Sequence, residues 1–116
     1  ITDGRLQVLA GEDAQLFGTL AMGGAGDIAA SAHLCTARFV EVMHLLQRGE
    51  LQQARALWRP LVPMVQAAFA EPNPAVIKAV LAQQGLVQDG LRLPMVAASA
   101  GATERLLAAI QHMIGT

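Results

Sequence analysis

Residues 6–31 read LQVLAGEDAQLFGTLAMGGAGDIAAS, and the order of apolar runs and glycines in this stretch decides the fold class. Leu6 to Ala10 is a short, mostly apolar run ended by Gly11, the pattern of a buried strand in a parallel sheet. Asp13 is placed to cap a helix whose apolar positions Leu16, Phe17, Leu20 and Ala21 recur at helical spacing before a Gly23-Gly24 stop. Asp27 to Ser31 then lies between a glycine stop and a new helix, which predicts a second strand despite the poor strand propensity of alanine. A strand, a helix and a strand in succession imply a parallel pair with a right-handed crossover. Two parallel strands cannot form a covered sheet alone, so the remaining strands are expected upstream.

Beyond this stretch the chain reads as helical. Phe39, Val40, Met43, Leu45 and Leu46 give a helix over 36–47, closed by Arg48-Gly49. Glu50 to Ala70 keeps a helical period through Leu51, Ala54, Leu57, Trp58, Leu61, Val65 and Phe69, with a bend or split at Pro60 and Pro63. Asn73 is placed to cap, and Pro74 to open, a helix that Gly85 stops, with Val76, Ile77, Val80 and Leu81 on its apolar face. Leu91 to Ala98 reads as extended or irregular, with Pro94 arguing against a central strand, and Thr103 to Ile114 as a closing amphipathic helix.

Composition narrows the functional classes. Of 116 residues, 53% are hydrophobic and 15% charged, so much apolar surface must be covered by something. A net charge of −1 without a basic run offers no footprint for nucleic acid or an anionic membrane. Every apolar stretch is broken well short of the ~20 residues that cross a bilayer. Ile1 to Arg5 carries neither an initiator Met nor a signal-peptide layout, so the chain is expected to start in mid-protein. One cysteine, Cys35, forms no internal disulfide and fits a cytoplasmic location.

Candidate chemistry is sparse. Gly23-Gly24-Ala25-Gly26 has the look of a phosphate-cradling loop, but it lacks both the P-loop Lys-Ser/Thr and a dinucleotide fingerprint, and reads better as a helix stop and turn. His33, His44 and His112 lie on different elements without a second ligand at helical spacing, so no metal site is expected, and no cofactor. Cys35, two residues after His33, reads as an inert buried thiol. Lys78, the only lysine, sits on a helix between Ile77 and Ala79 with no tyrosine anywhere in the chain, so it reads as a structural lysine that snorkels or pairs. Gly11, Glu12 and Asp13 stand where a parallel strand ends, the face on which such sheets place ligand contacts.

Taken together, Leu9-Ala10-Gly11-Glu12-Asp13-Ala14, Gly23-Gly24-Ala25-Gly26-Asp27-Ile28, Glu71-Pro72-Asn73-Pro74 with Lys78, and Leu91-Arg92-Leu93-Pro94-Met95 are similar, in order and spacing, to the C-terminal portion of the dihydrodipicolinate synthase family. The resemblance runs from Leu6 to the last helix. It implies an α/β fold: the end of a (β/α)8 TIM barrel, with strands 7 and 8 and their helices over 1–48 and a C-terminal helical extension over 49–116. It implies a parent enzyme that condenses pyruvate with aspartate semialdehyde through a lysine Schiff base in lysine biosynthesis. The Schiff-base lysine, the relay tyrosine and the threonine pair that holds the pyruvate carboxylate would all precede this stretch, so no catalytic residue is expected here and the segment alone should be inactive. By matched position Ile28 would line the pyruvate site, partly through its backbone, and Gly11 and Glu12 would border the aldehyde substrate. The implied partners are these small molecules, the remainder of the barrel and further copies of the protein. The family commonly has Asp at the position of Glu12 and Ser at that of Ala29, so another 2-keto acid aldolase or lyase is an alternative. A non-catalytic helical interaction module is the rival from a different class, and the strand at Leu6 to Ala10 separates them.

Overall fold

The computed structural model describes residues 3–115 and divides into two compact units, Ile1–Arg59 and Pro60–Thr116. In the first unit, strand β1 (Leu9–Ala10) pairs in parallel with β2 (Gly26–Asp27), Leu9 opposite Gly26 and Ala10 opposite Asp27. The pairing is extended by Ala25 N donating to Val8 O at 2.7 Å and Ile28 N to Ala10 O at 3.0 Å. Between the strands run a 3-10 turn (Asp13–Gln15) and helix α1 (Leu16–Ala21), which buries Leu16 and Leu20, one turn apart on the same face. The expected β-α-β order is therefore present.

Both strands are shorter than the apolar runs predict. The stop after α1 sets one limit: Gly23 N donates to Leu20 O and Gly24 N to Thr19 O, the two bonds of a Schellman motif, with Gly23 at φ 93°. A Cβ on Gly24 would stand 2.7 Å from the Thr19 carbonyl oxygen, so the second glycine is needed for close approach. Only at Gly26 is the chain released to pair. The other limit is Ser31, expected to end the second strand but found opening a 3-10 turn (Ser31–Leu34), because Asp13 takes its N–H and hydroxyl out of the sheet. Among the described residues β1 has a partner on one edge only.

Helix α2 (Thr36–Gln47) buries Phe39, Val42 and Leu45, and α3 (Leu51–Trp58), packed against it, buries Ala54 and Trp58. Trp58 stacks on Phe17 at 6.1 Å and meets Phe39 edge-on at 6.0 Å, so the only tryptophan joins α1, α2 and α3. Gly49 closes α2 with the same bond pair as Gly23-Gly24, and Arg48 bridges Glu50 at 2.7 Å and Glu41 at 3.5 Å over it.

The helical run expected over 50–70 is split at Pro60. Proline has no N–H for the ladder, so α3 ends with Arg59 N on Arg55 O, and α4 (Leu61–Ala68) starts afresh with Pro60 as its N-cap. Pro63 falls in the first turn of α4, where a missing N–H costs nothing. In this second unit α4 and α5 (Ala75–Gln83) both pack on α6 (Ala100–Ile114) around Leu61, Met64, Val76, Val80, Leu106 and Met113. The apolar face expected of α5 is the buried one, but Asn73 makes no cap bond and Pro74 holds the N-cap. Helix α6 begins at Ala100 instead of Thr103, because Ser99 Oγ accepts Ala102 N at 3.2 Å and Ser99 O accepts Thr103 N and Oγ. The irregular segment before it is tied down by Lys78 Nζ donating to the Gly90 carbonyl and by Ser99 N donating to the Glu71 carboxylate at 2.9 Å. Among the described residues, no helix is long and apolar enough to cross a membrane.

Candidate functional site

The parallel register fixes which side chains share a face. Leu9 and Ile28 fall on one face and Ala10 and Asp27 on the other, because side chains alternate along a strand. The second face is turned into the unit: Ala10 is 8% exposed and the Asp27 carboxylate oxygens are buried. The first face is open, with Leu9 52% and Ile28 73% exposed. Gly11 and Glu12, both exposed, follow β1 directly, and Ile28 follows β2. The hydrogen bond from Ile28 N to Ala10 O brings the three residues singled out by sequence to the carboxyl ends of the same two strands.

Asp13 has a different role from the helix cap that its position suggests. It is 2% exposed and makes no cap bond; its carboxylate accepts Ser31 N at 2.7 Å and Ser31 Oγ at 2.5 Å, with Ser31 fully buried. Two donors on one buried side-chain oxygen make a strong bridge. The bridge ties the turn after β1 to the turn after β2, so it braces the rim that carries Gly11, Glu12 and Ile28. Neither Ser31 nor this pairing was legible locally. The one available signal was a hydroxyl residue just beyond a second strand end, opposite an acid just beyond the first.

Asp27 was also missed. Both of its carboxylate oxygens are buried and have no hydrogen-bond partner among the described residues. Burial pushes its carboxyl above the ordinary Asp value; the charges of Asp13 and then Glu12 push in the same direction, and the neighbouring Ile28 N–H opposes them. That N–H is committed to Ala10 O, so it does not satisfy the carboxylate.

The other candidates are structural. The N–H groups of Gly23 and Gly24 are spent on α1 and that of Ala25 on Val8, which leaves no cradle for a phosphate. Burial pushes the Cys35 thiol up to about 11, with Arg38 opposing, so it is not a ready nucleophile. Among the described residues no three His, Cys, Asp or Glu side chains gather as metal ligands would. Lys78 spends its ammonium on a backbone carbonyl. Among the described residues, Gly11, Glu12 and Ile28 are thus the exposed groups at this rim. A cleft of about 750 Å³ lies instead between the segment that precedes β1 and α1, lined by Gln7, Val8, Gln15, Thr19 and Met22 and reaching the turn at Gly23 to Ala25.

Residues 1–113 match the model of the dihydrodipicolinate synthetase family. The chain is 41% identical over 100 residues to 4-hydroxy-tetrahydrodipicolinate synthase 2 of Clostridium acetobutylicum, covering 85% of this chain and 35% of that protein. It is 34% identical over 112 residues to the 4-hydroxy-tetrahydrodipicolinate synthase of Listeria monocytogenes, covering 97% of this chain and 38% of that one. It therefore spans little more than a third of the length of the curated relatives it matches. The Thermotoga maritima dihydrodipicolinate synthase superposes with a TM-score of 0.91 at 32% identity, over 97% of this chain and 39% of that one. A chloride-inhibited dihydrodipicolinate synthase from Acinetobacter baumannii, solved with pyruvate, gives 0.89 at 26% identity over 96% and 38%.

Proposed function

The chain belongs to the dihydrodipicolinate synthetase family, and from that membership we propose that it is the closing, C-terminal portion of a cytoplasmic class I enzyme that condenses pyruvate with aspartate semialdehyde. Residues 1–48 supply the last two β/α units of a (β/α)8 barrel and residues 49–116 its helical extension. The observation that carries the reading is the parallel β-α-β unit with one sheet face open at Leu9 and Ile28, since parallel sheets are stable only when both faces are covered.

In this reading the Schiff-base lysine lies outside the chain. The buried helix neighbours of Lys78 and its bond to Gly90 support a structural role for it. The residues here shape the mouth. Ile28 walls the pyruvate pocket; with its N–H held by Ala10, the backbone group it has to offer is its carbonyl. Gly11 lets the aldehyde substrate approach the strand end, and Glu12 meets that substrate's polar groups. Homo-oligomerisation belongs to the same proposal.

The second substrate is where a variant reading has support, since Glu12 is one methylene longer than the usual Asp and Ala29 lacks the usual hydroxyl. An aldolase or lyase acting on another 2-keto acid pairing follows from those two departures. The test is a condensation assay on the complete enzyme with and without Glu12→Asp. A changed KM for aspartate semialdehyde with the pyruvate KM unmoved supports the assigned roles; no condensation by the parent, with turnover of another aldehyde, selects the variant reading.

A further inference from the structure

We propose that Asp13 is a positioning residue: through its buried bridge to Ser31 it holds the strand end carrying Gly11 and Glu12 in register with the one carrying Ile28, so that the aldehyde is presented to the bound pyruvate. This rests on the function proposed above and names a residue that acts on it without touching either substrate, being 2% exposed. The observation that carries it is where the sheet stops pairing. The last backbone rung between the two strand ends is Ile28 N donating to Ala10 O at 3.0 Å. A regular parallel ladder would go on with Glu12 N donating to Ile28 O and Ala30 N to Glu12 O. Neither bond forms among the described residues: Glu12 O takes Gln15 N at 2.8 Å, and no described residue donates to Ile28 O.

The interruption leaves the Ile28 carbonyl open to a ligand. Asp13 restores the tie further out, where its Oδ2 accepts Ser31 N at 2.7 Å and Ser31 Oγ at 2.5 Å. Gly11 and Glu12 on one segment, and Ala29 and Ala30 on the other, therefore lie between two ties. These ties hold unequally. Ile28 donates the last backbone rung itself, so its place does not depend on Asp13. Gly11 has the most permissive backbone of any residue type, and the one hydrogen bond of Glu12 runs toward α1, so the aldehyde side is the one that swings when the bridge is lost. With Ser31 fully buried as well, the tie is sheltered from competing water.

The experiment is steady-state kinetics on the complete enzyme that contains this chain, with Asp13→Ala, Asp13→Asn and Ser31→Ala, at a temperature where circular dichroism shows each variant folded. In Asp13→Ala, borohydride still fixes pyruvate and the KM for pyruvate is unmoved, while kcat/KM for the aldehyde falls about 10- to 100-fold, the scale of a misplaced reacting group. Asp13→Asn, which keeps an oxygen acceptor of the same shape, restores most of that loss. Ser31→Ala keeps the backbone N–H on Asp13 and serves where Asp13→Ala does not fold; it shows the same split in smaller size. Added to Asp13→Ala it costs nothing more, because both act through one bridge. A brace that only stabilises lowers the melting temperature and leaves both constants unmoved in the folded variants, and that result overturns the proposal, as does an equal loss for pyruvate and aldehyde. Failure of the functional reading looks different: the unsubstituted enzyme itself then fixes no pyruvate, and the proposal falls with it.

Discussion

Asp13 and Ser31 make the most consequential residue-level contact. Removing the acceptor in Asp13→Ala leaves a fully buried N–H and hydroxyl without partners. The expected loss is about 1–3 kcal/mol in urea unfolding, with Ser31→Ala milder because the backbone N–H keeps its bond. An unchanged midpoint in both would show that the bridge is replaced by water. Two carboxyls act on stability with opposite signs of pH dependence. Asp27 is raised in the folded chain, so its neutral form adds stability below the unfolded Asp value of about 4, and this is lost as pH rises through the raised folded value. Glu71 is held down by hydrogen bonds from Ser99, so its contribution is present above its unfolded value and is lost as pH falls through the lowered one. Asp27→Asn should remove the first slope and Glu71→Gln the second, read as urea midpoints between pH ~3 and ~7; slopes that survive the substitutions contradict these assignments. Asp13 misled sequence reading because capping rules look three residues ahead, whereas its donors sit 18 residues on. Asp27 gave no signal, since it opens the expected second strand and only the register decides that its carboxyl turns inward.

At the scale of elements, helices were legible in extent and strands only in order and pairing, not in length. Each helix stop announced by glycine at Gly23, Gly49 and Gly85 is formed by local bonds within six residues, which sequence windows capture. Strand length depends instead on rungs supplied from elsewhere. Leu6 to Val8 has strand composition, yet β2 starts only at Gly26, so pairing stops at two residues. Helix α6 began early because Ser99 caps it through Ala102 and Thr103, with Glu71 holding Ser99 N from 28 residues away. Two glycines near α1 should respond oppositely to alanine. Gly18 is helical with nothing within 4 Å of an added Cβ, so Gly18→Ala should gain about 0.5–1 kcal/mol. Gly24→Ala drives a methyl against the Thr19 carbonyl and should lose about 1–3 kcal/mol. Thermal melts followed by Trp58 fluorescence separate the pair, and equal effects would contradict the stop geometry.

For the whole molecule, the family was carried by spaced motifs, and it is the site's outward face that makes sense of the excess apolar composition. Leu9 and Ile28 are exposed where a parallel sheet demands cover, and the matched relatives are nearly three times longer than the region they share with this chain. Sequence put Gly11, Glu12 and Ile28 near the ends of two strands, and under the proposed function what stands across from them is supplied by residues other than these 116. The most direct measurement is borohydride reduction in the presence of pyruvate on the protein purified from its native cells, followed by intact mass and peptide mapping. The account predicts a protein larger than this chain, with pyruvate fixed on one lysine outside residues 1–116. Pyruvate fixed on Lys78, or no adduct at all, would contradict it.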